Sequence, residues 1–573
     1  MSRISGISNQ VDDPVALNIM WNRLVGISEE CWLTIWRTAF SIIIGEVQDF
    51  ACDILDASGY SLAHSPRSMP AFSLTLPRAA RVVLARYPAS DYRDGDVFIT
   101  NDPWICVGHL PDLAVLSPVI RDRRLVGFIG SIAHCSDIGG TRDSAHAREV
   151  YEEGLQIPPI RFVTAGVANP DVVALIRQNV RNSDMVLGDI QAQISANRVG
   201  IDRLLAFMDE YDLDDLSELA TVVQGRAEAA MRTAVGAITD GLYTHEVDLS
   251  ALGRPLRLPI QIQVKGEDLY VTYDGAPPQL EQGAVNSTLS FTEAHTVYAL
   301  KCMLTPDILS NAGCYRPFHV DAPEGSIMNC RYPAAVNIRT VSGWYCAPAV
   351  FGALASARPD RVQSFTGLPM GAGAYGFERD GRRFNDSLLQ GGGLGGSAHG
   401  DGLSAVLFPT SAANTSIELY ESRAPLLVEC KELIPDSGGA GRHRGGLGQR
   451  LRIRKLYDDG QPVLFSLTPH GIGVDTPGLF GGRHGKRGTV RLEDASGIVA
   501  TDDQLAGEPE LRTTDQRIVL ELAGGSGYGP PEKRPIEEVQ VDFDRGLVTT
   551  AGLAVYGCNV DHDGRVARTM GGQ

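Results

Sequence analysis

The chain has 573 residues, 43% hydrophobic and 21% charged, with a formal net charge of −18. That length exceeds what a single core holds, so several packed subdomains are expected. The acidity, with no basic stripe to offset it, argues against nucleic acid or anionic membrane as a partner.

The N-terminal run Met1 to Gly6 is not followed by a signal-type apolar stretch, and nothing approaches the length of a membrane span. Ten scattered cysteines show no CxxC pairing, which reads as a cytoplasmic chain with reduced thiols. Asp13-Pro14 marks a helix start, with Leu17, Ile19, Met20, Leu24 and Ile27 at helical spacing. This pattern is expected to break and then resume through Trp32 to Ile43. Strands are expected from Ala51 onward to a hairpin.

In that hairpin, Leu113 to Ile120 and Leu125 to Ala133 are apolar runs around the polar Arg121-Asp122-Arg123-Arg124. A turn centred on Arg123 places Asp112 directly opposite His134, where side chains converge. His109 stands one short turn earlier, and Pro111 keeps that turn out of a regular helix. Two imidazoles and a carboxylate meeting at one point form a cradle for a divalent metal, and this donor set suits Zn, Mn or Fe better than Ca or Mg. The competing reading is structural: histidines at strand ends cap backbone groups, and Asp after Pro is a common turn residue. Asp137 is placed to orient His134 through its second ring nitrogen. Cys135 reads as a small buried apolar residue rather than a nucleophile. Asp102 reads as a turn former, Glu152 and Glu153 as a solvated face, and His146 and His443 as surface residues.

From Asp171 the pattern turns helical through Met208, and a further helix runs from about Leu216 to about Ile238. Alternating segments return at Leu258 to Val264 and Asp268 to Tyr273. Glycines cluster at Gly391 to Gly396 and Gly438 to Gly448, so the second half reads as β-rich with tight turns. The expected fold class is α+β with several subdomains. A mixed region over 1–165 carries the site motifs, followed by a helical segment over 166–240. A mixed β-rich subdomain covers 241–400 and a C-terminal β-rich one 401–573. The stretch Gly481-Gly482-Arg483-His484-Gly485-Lys486-Arg487 fails as a phosphate loop. Phe480 replaces its first glycine and Arg487 its Ser or Thr. No convincing nucleotide site of its own is seen in this chain.

Several blocks resemble the hydantoinase B/oxoprolinase family. They are Asn101-Asp102-Pro103, Gly108-His109-Leu110-Pro111-Asp112, Ala133 to Gly140, Glu149 to Pro159, Asn311 to Pro317, Pro435 to Arg442, Arg444 to Gly448 and Gly524 to Gly529. They occur in family order along almost the whole chain. The resemblance implies a metal site of Asp49, His109, Asp112 and His134, with His109, Asp112, His134 and Asp137 as catalytic candidates. Cys135 stands where the family often has a second histidine. The resemblance further implies the hydantoinase B-type component of an ATP-dependent cyclic amide hydrolase. A hydantoinase A-type partner would bind ATP and phosphorylate a small-molecule substrate, and metal-bound water on this chain would complete hydrolysis in a hetero-oligomer. Two alternatives stay open. One is a carboxylase component acting on the phosphorylated enol of a ketone, as in acetone and acetophenone carboxylases. The other is a non-catalytic scaffold, which would purify without stoichiometric metal.

Overall fold

A computed structural model describes residues 13–468, 470–505 and 509–569. Helix α1 (Pro14–Thr38) opens with the Asp13 side chain accepting a hydrogen bond from the Val15 amide. It runs without the expected break, because Leu17, Met20, Leu24, Ile27, Cys31 and Ile35 form one unbroken buried stripe. The interruption comes after Thr38, before a short helix at Ile42–Gly45.

The first sheet has seven strands in the order β2-β1-β5-β4-β3-β6-β7, all antiparallel. Its strands are β1 (Phe50–Asp56), β2 (Ser61–His64), β3 (Val97–Thr100), β4 (Asp112–Arg121), β5 (Arg124–His134), β6 (Ile160–Thr164) and β7 (Val167–Ala168). Helix α2 (Pro70–Arg86), where sequence reading expects strands, lies on one face. Its two prolines hide the helical pattern: Pro70 sits in the first turn and Pro77 in the interior. Helices α3 (Pro170–Asn179), α4 (Ser183–Glu210) and α5 (Ser217–Gly236) follow the sheet in the chain. Helix α4 covers the opposite face of the sheet, where Ser131 donates to Gln193 and Gly200 sits against Cys31 and Ile129. Trp32 stacks on Phe50 at 4.7 Å between ring centroids, a pairing that contributes about 0.5–1.5 kcal/mol beyond burial.

A four-stranded sheet follows, β8 (Gly241–Ala251), β9 (Arg254–Lys265), β10 (Asp268–Thr272) and β11 (Phe318–Asp321), with β10 and β11 parallel. Helices α6 (Leu289–Leu304) and α7 (Cys346–Leu354) interrupt the expected β-rich stretch. Both are buried on nearly every side and therefore carry no amphipathic stripe for a sequence reading to detect.

One hydrophobic core draws on residues from Leu17 to Leu368, and a second begins at Met370. The second core forms under the strands β12 (Met370–Phe377), β13 (Arg383–Gln390), β14 (Leu426–Leu433), β15 (Gln449–Lys455) and β16 (Val463–Thr468). Strands β12, β13 and β16 have two contrasting faces. Ala372, Ala374, Phe384, Leu388, Phe465 and Leu467 pack into the second core. The alternate residues Gly371, Gly373, Asn385, Ser387, Ser466 and Thr468 turn toward the first sheet and roof the site described next.

Candidate metal centre

The hairpin closes through Asp122 and Arg123, both at positive φ (49° and 61°), as a two-residue turn matching the twist of its strands requires. From Asp112 to Val119 the partner numbers sum to 246, so Asp112 faces His134 as the sequence predicts. A bulge between Val119 and Ile120 absorbs the shift into the tighter turn. On the other side of β5, Phe50 pairs with Ala133, and the His134 amide donates to the Asp49 carbonyl at 3.1 Å. Asp49 and Asp112 therefore flank His134 in one row across three adjacent strands, at the end of the sheet.

His109 reaches this row from the preceding loop. Gly108 holds φ at +82°, and a Cβ there would press on Phe291 and Arg339. His109 Nε2 lies 2.8 Å from Asp112 Oδ2, while His134 Nδ1 lies 2.9 Å from Asp112 Oδ1 and 3.8 Å from Asp49 Oδ2. One donor atom from each of His109, Asp112 and His134 falls within 4.8 Å of the others. The close approach of His109 Nε2 to Asp112 lacks the geometry of a hydrogen bond. That nitrogen and Asp49 Oδ1 are both buried without a hydrogen-bond partner among the described residues. Orphaned lone pairs of this kind are costly unless a further group satisfies them. Imidazole nitrogens and carboxylate oxygens with unspent lone pairs fit a divalent transition metal.

The charges are arranged to keep these lone pairs available. Burial opposes the charge of Asp112, but His109, Arg339 and the hydrogen bond to His134 hold its carboxyl well below the usual range. Burial, reinforced by Arg339, pushes His109 down to about 4, so its ring is neutral at pH 7. Burial pushes Asp49 up to about 6 against the pull of His134. His134 is half-buried, and against that partial desolvation its bond to Asp112 raises its pKa.

Sequence reading does not find Arg339. Its Nη2 lies 2.8 Å from Asp112 Oδ2, its Nε donates to the Val107 carbonyl at 2.6 Å, and its guanidinium sits over the Phe291 ring. No local pattern reveals it, because it arrives from 227 residues away. Asp137 is not brought to His134. Its carboxylate accepts from the Arg181 backbone amide and guanidinium and from the Gly139 amide. Cys135 is buried, and its thiol is raised well above the usual range, which fits the apolar reading. Asp102 caps the Trp104 amide as a turn former, and His146 is an exposed partner of Asp143. Glu153 is buried rather than solvated, and its Oε1 accepts from the amides of Val336 and Asn337.

A cavity of about 250 Å³ opens on the centre, walled by Phe72, Phe291, Trp344, His295 and His470. His470 is spent on the Pro369 carbonyl and Thr340. His295 is 2% exposed and neither ring nitrogen has a partner among the described residues. Burial and Arg339 push it down to about 3. A larger polar vestibule of about 650 Å³ adjoins on the side of Ser136 and Asp137, and His134 lines both spaces.

Residues 13–531 match the model of the hydantoinase B/oxoprolinase family, and the chain belongs to that family. A protein from Pseudomonas sp. (strain NS671), named as the B-type component of a putative D-/L-hydantoinase, is 29% identical, covering 96% of this chain and 95% of that protein. The crystal structure of ATP-dependent caprolactamase from Pseudomonas jessenii superposes with a TM-score of 0.86. It has 26% identity and covers 96% of this chain and 97% of its own. Nucleotide-free acetone carboxylase shares the fold at a TM-score of 0.83 and 17% identity, covering 99% of this chain and 83% of its own. Among the described residues no helix is long and apolar enough to cross a membrane.

Proposed function

We propose that this chain is the hydrolytic component of an ATP-dependent cyclic amide hydrolase, with its chemistry at the Asp49, His109, Asp112 and His134 cluster. The observation that carries the reading is the pair of orphaned lone pairs, on His109 and Asp49, beside a charge-balanced carboxylate at the floor of a sheltered cavity. Bound there, a Zn, Mn or Fe ion supplies Lewis acidity that activates water and polarises a carbonyl or phosphoryl oxygen. Arg339 and His134 keep Asp112 ionised, while the Asn337 carbonyl accepts from His109 Nδ1 and leaves Nε2 unprotonated toward the cluster. Phe72, Phe291 and Trp344 exclude bulk water, and His295 is the unspent polar group available to a substrate ring.

An amide resists water at neutral pH. Phosphorylation of its oxygen makes the ring carbon electrophilic, water adds there, the C–N bond breaks with the amine as leaving group, and a second water releases phosphate from the resulting acyl phosphate. The phosphorylation is assigned to an ATP-binding A-type partner in a cytoplasmic hetero-oligomer, a reading supported by the component naming of the hydantoinase relative and the ATP dependence of the caprolactamase. The test is reconstitution with such a partner and a panel of lactams and hydantoins. His109→Ala and His134→Ala should abolish ring opening while ATP consumption by the partner persists at least in part. Product formation unchanged in both variants would defeat the proposal. Incorporation of labelled bicarbonate into a ketone substrate would reassign the centre to carboxylation.

A further inference from the structure

Two of the proposed ligands are held from behind by one short segment, Val336 to Arg339. The Asn337 carbonyl lies 3.0 Å from His109 Nδ1, and Arg339 binds Asp112. A histidine that donates from Nδ1 to a carbonyl must present Nε2 as a bare lone pair, so this contact selects the tautomer that ligation requires. The segment is therefore a clamp, and its fidelity depends on what fixes its first residues.

The fixing group is Glu153. Its side-chain Oε1 accepts from the Val336 amide at 2.9 Å and from the Asn337 amide at 2.7 Å. Both amides belong to an irregular segment with no sheet ladder to satisfy them. Glu153 reaches them from the Val150–Glu152 turn, where a reciprocal Glu149–Glu152 capping box fixes the chain. Gly154 follows at φ +140°, and a Cβ there would lie 2.5 Å from the Ile138 carbonyl. The turn is thus pinned against the loop that follows His134. Asn337 Nδ2 adds a lateral tie to Ser144 at 2.8 Å. Glu153 itself is 3% exposed, and its Oε2 has no partner among the described residues. A buried carboxyl group with one oxygen idle is expensive, and burial raises its pKa to about 8. Packing alone would be better served by an apolar side chain of the same volume. The bridging of two consecutive amides is what an apolar residue could not supply.

We propose that Glu153 is a positioning residue for the metal centre. By bridging the Val336 and Asn337 amides it aims the Asn337 carbonyl at His109 Nδ1, fixing the tautomer and orientation of that ligand. The inference rests on the reading of His109 as a ligand, and the test separates the two.

The test uses the full chain with 15N-labelled histidine, the His109 signals being assigned by their loss in His109→Ala. Long-range 1H–15N spectra of the metal-free protein should show His109 as the Nδ1–H tautomer in wild type and in Glu153→Gln, whose amide oxygen still accepts. In Glu153→Leu, and in Glu153→Ala should the leucine variant not fold, a mixture of tautomers or the Nε2–H form is expected. Titration of Mn2+ or Zn2+ against a chelating dye should then give a Kd about 10–100-fold weaker for Leu or Ala and within about threefold of wild type for Gln. A merely structural role would lower the melting temperature of the Leu variant but leave both tautomer and Kd of the folded protein unchanged, and that result overturns the proposal. So does a Gln variant as impaired as Leu. If wild type binds neither metal, the metal-centre reading fails, while the tautomer comparison still decides the role of Glu153.

Discussion

The end of the first sheet and the glycine-packed region around residues 391–396, 445–448 and 524–527 are both buried, and they are built in opposite ways. At the sheet end, position is fixed by side chains: Asp49, Asp112 and His134 share a row across three strands, and Arg339 and His109 close it from distant segments. In the glycine region, position is fixed by the lack of side chains. Gly393 donates to the Ala523 carbonyl, Gly446 to Leu394 and Gly525 to Gly446, so backbone lies directly on backbone. A Cβ at Gly393 would lie 1.9 Å from the Gly446 oxygen, and one at Gly445 would lie 1.9 Å from the Gly525 oxygen. These glycines are explained by close approach, and no phosphate-binding role is needed to account for them. One chain thus fixes a cluster of polar side chains in one region and, in another, a backbone packing that depends on having almost no side chains.

Substitutions should divide along this line. The largest effect is expected from His134→Ala, which should remove bound metal and lower turnover of the reconstituted enzyme by about 10³-fold or more, with a cooperative melt retained. Gly393→Ala or Gly445→Ala should do the reverse. Backbone would have to move to admit the methyl group, at a cost of about 3 kcal/mol or more in chemical denaturation, while the folded fraction keeps its metal. Asp112→Asn crosses the divide. It removes a proposed ligand and also leaves Arg339 buried without its ionic partner, so loss of metal should come with a destabilisation of about 3 kcal/mol.

A smaller effect tests the ionic outer face of the C-terminal strands. Burial works against the charge of Glu521, but Arg491 and Arg450 hold its carboxyl at about 2. A depressed carboxyl stabilises the fold fully above its unfolded pKa of about 4.5 and loses that contribution as pH falls toward the folded value. Glu521→Gln should therefore flatten the acid limb of stability between about pH 4.5 and 2 and be costly at neutral pH. The smallest effect is expected at Cys135. Its thiol is buried and held in the protonated form, so Cys135→Ala should leave turnover within about twofold.

How far each region can be read from sequence follows from the same contrast. The hairpin register is legible because alternation has period two and the polar Arg121–Arg124 loop locates the turn, so Asp112 and His134 can be paired by arithmetic. Asp49 comes from resemblance to the family, although the same arithmetic on β1 and β5 places it opposite His134 once those strands are known to be neighbours. Strand adjacency is a tertiary fact, and so are the arrivals of Arg339 and His295. Glu153 misleads because a glutamate beside Glu152 and before a glycine has the local pattern of a solvated turn. Its burial is set by the Val336–Asn337 amides far along the chain. Helix α2 is hidden by its prolines and α6 by its all-round burial, whereas the amphipathic α4 and α5 are plain.

The metal content of the purified chain decides between a reactive centre and a structural cluster. Elemental mass spectrometry of wild type and His134→Ala should find about one Mn, Fe or Zn per chain in the first and a small residue of it in the second. Equal content in the two proteins, or none in wild type after incubation with each metal, would contradict a metal centre at the end of the sheet.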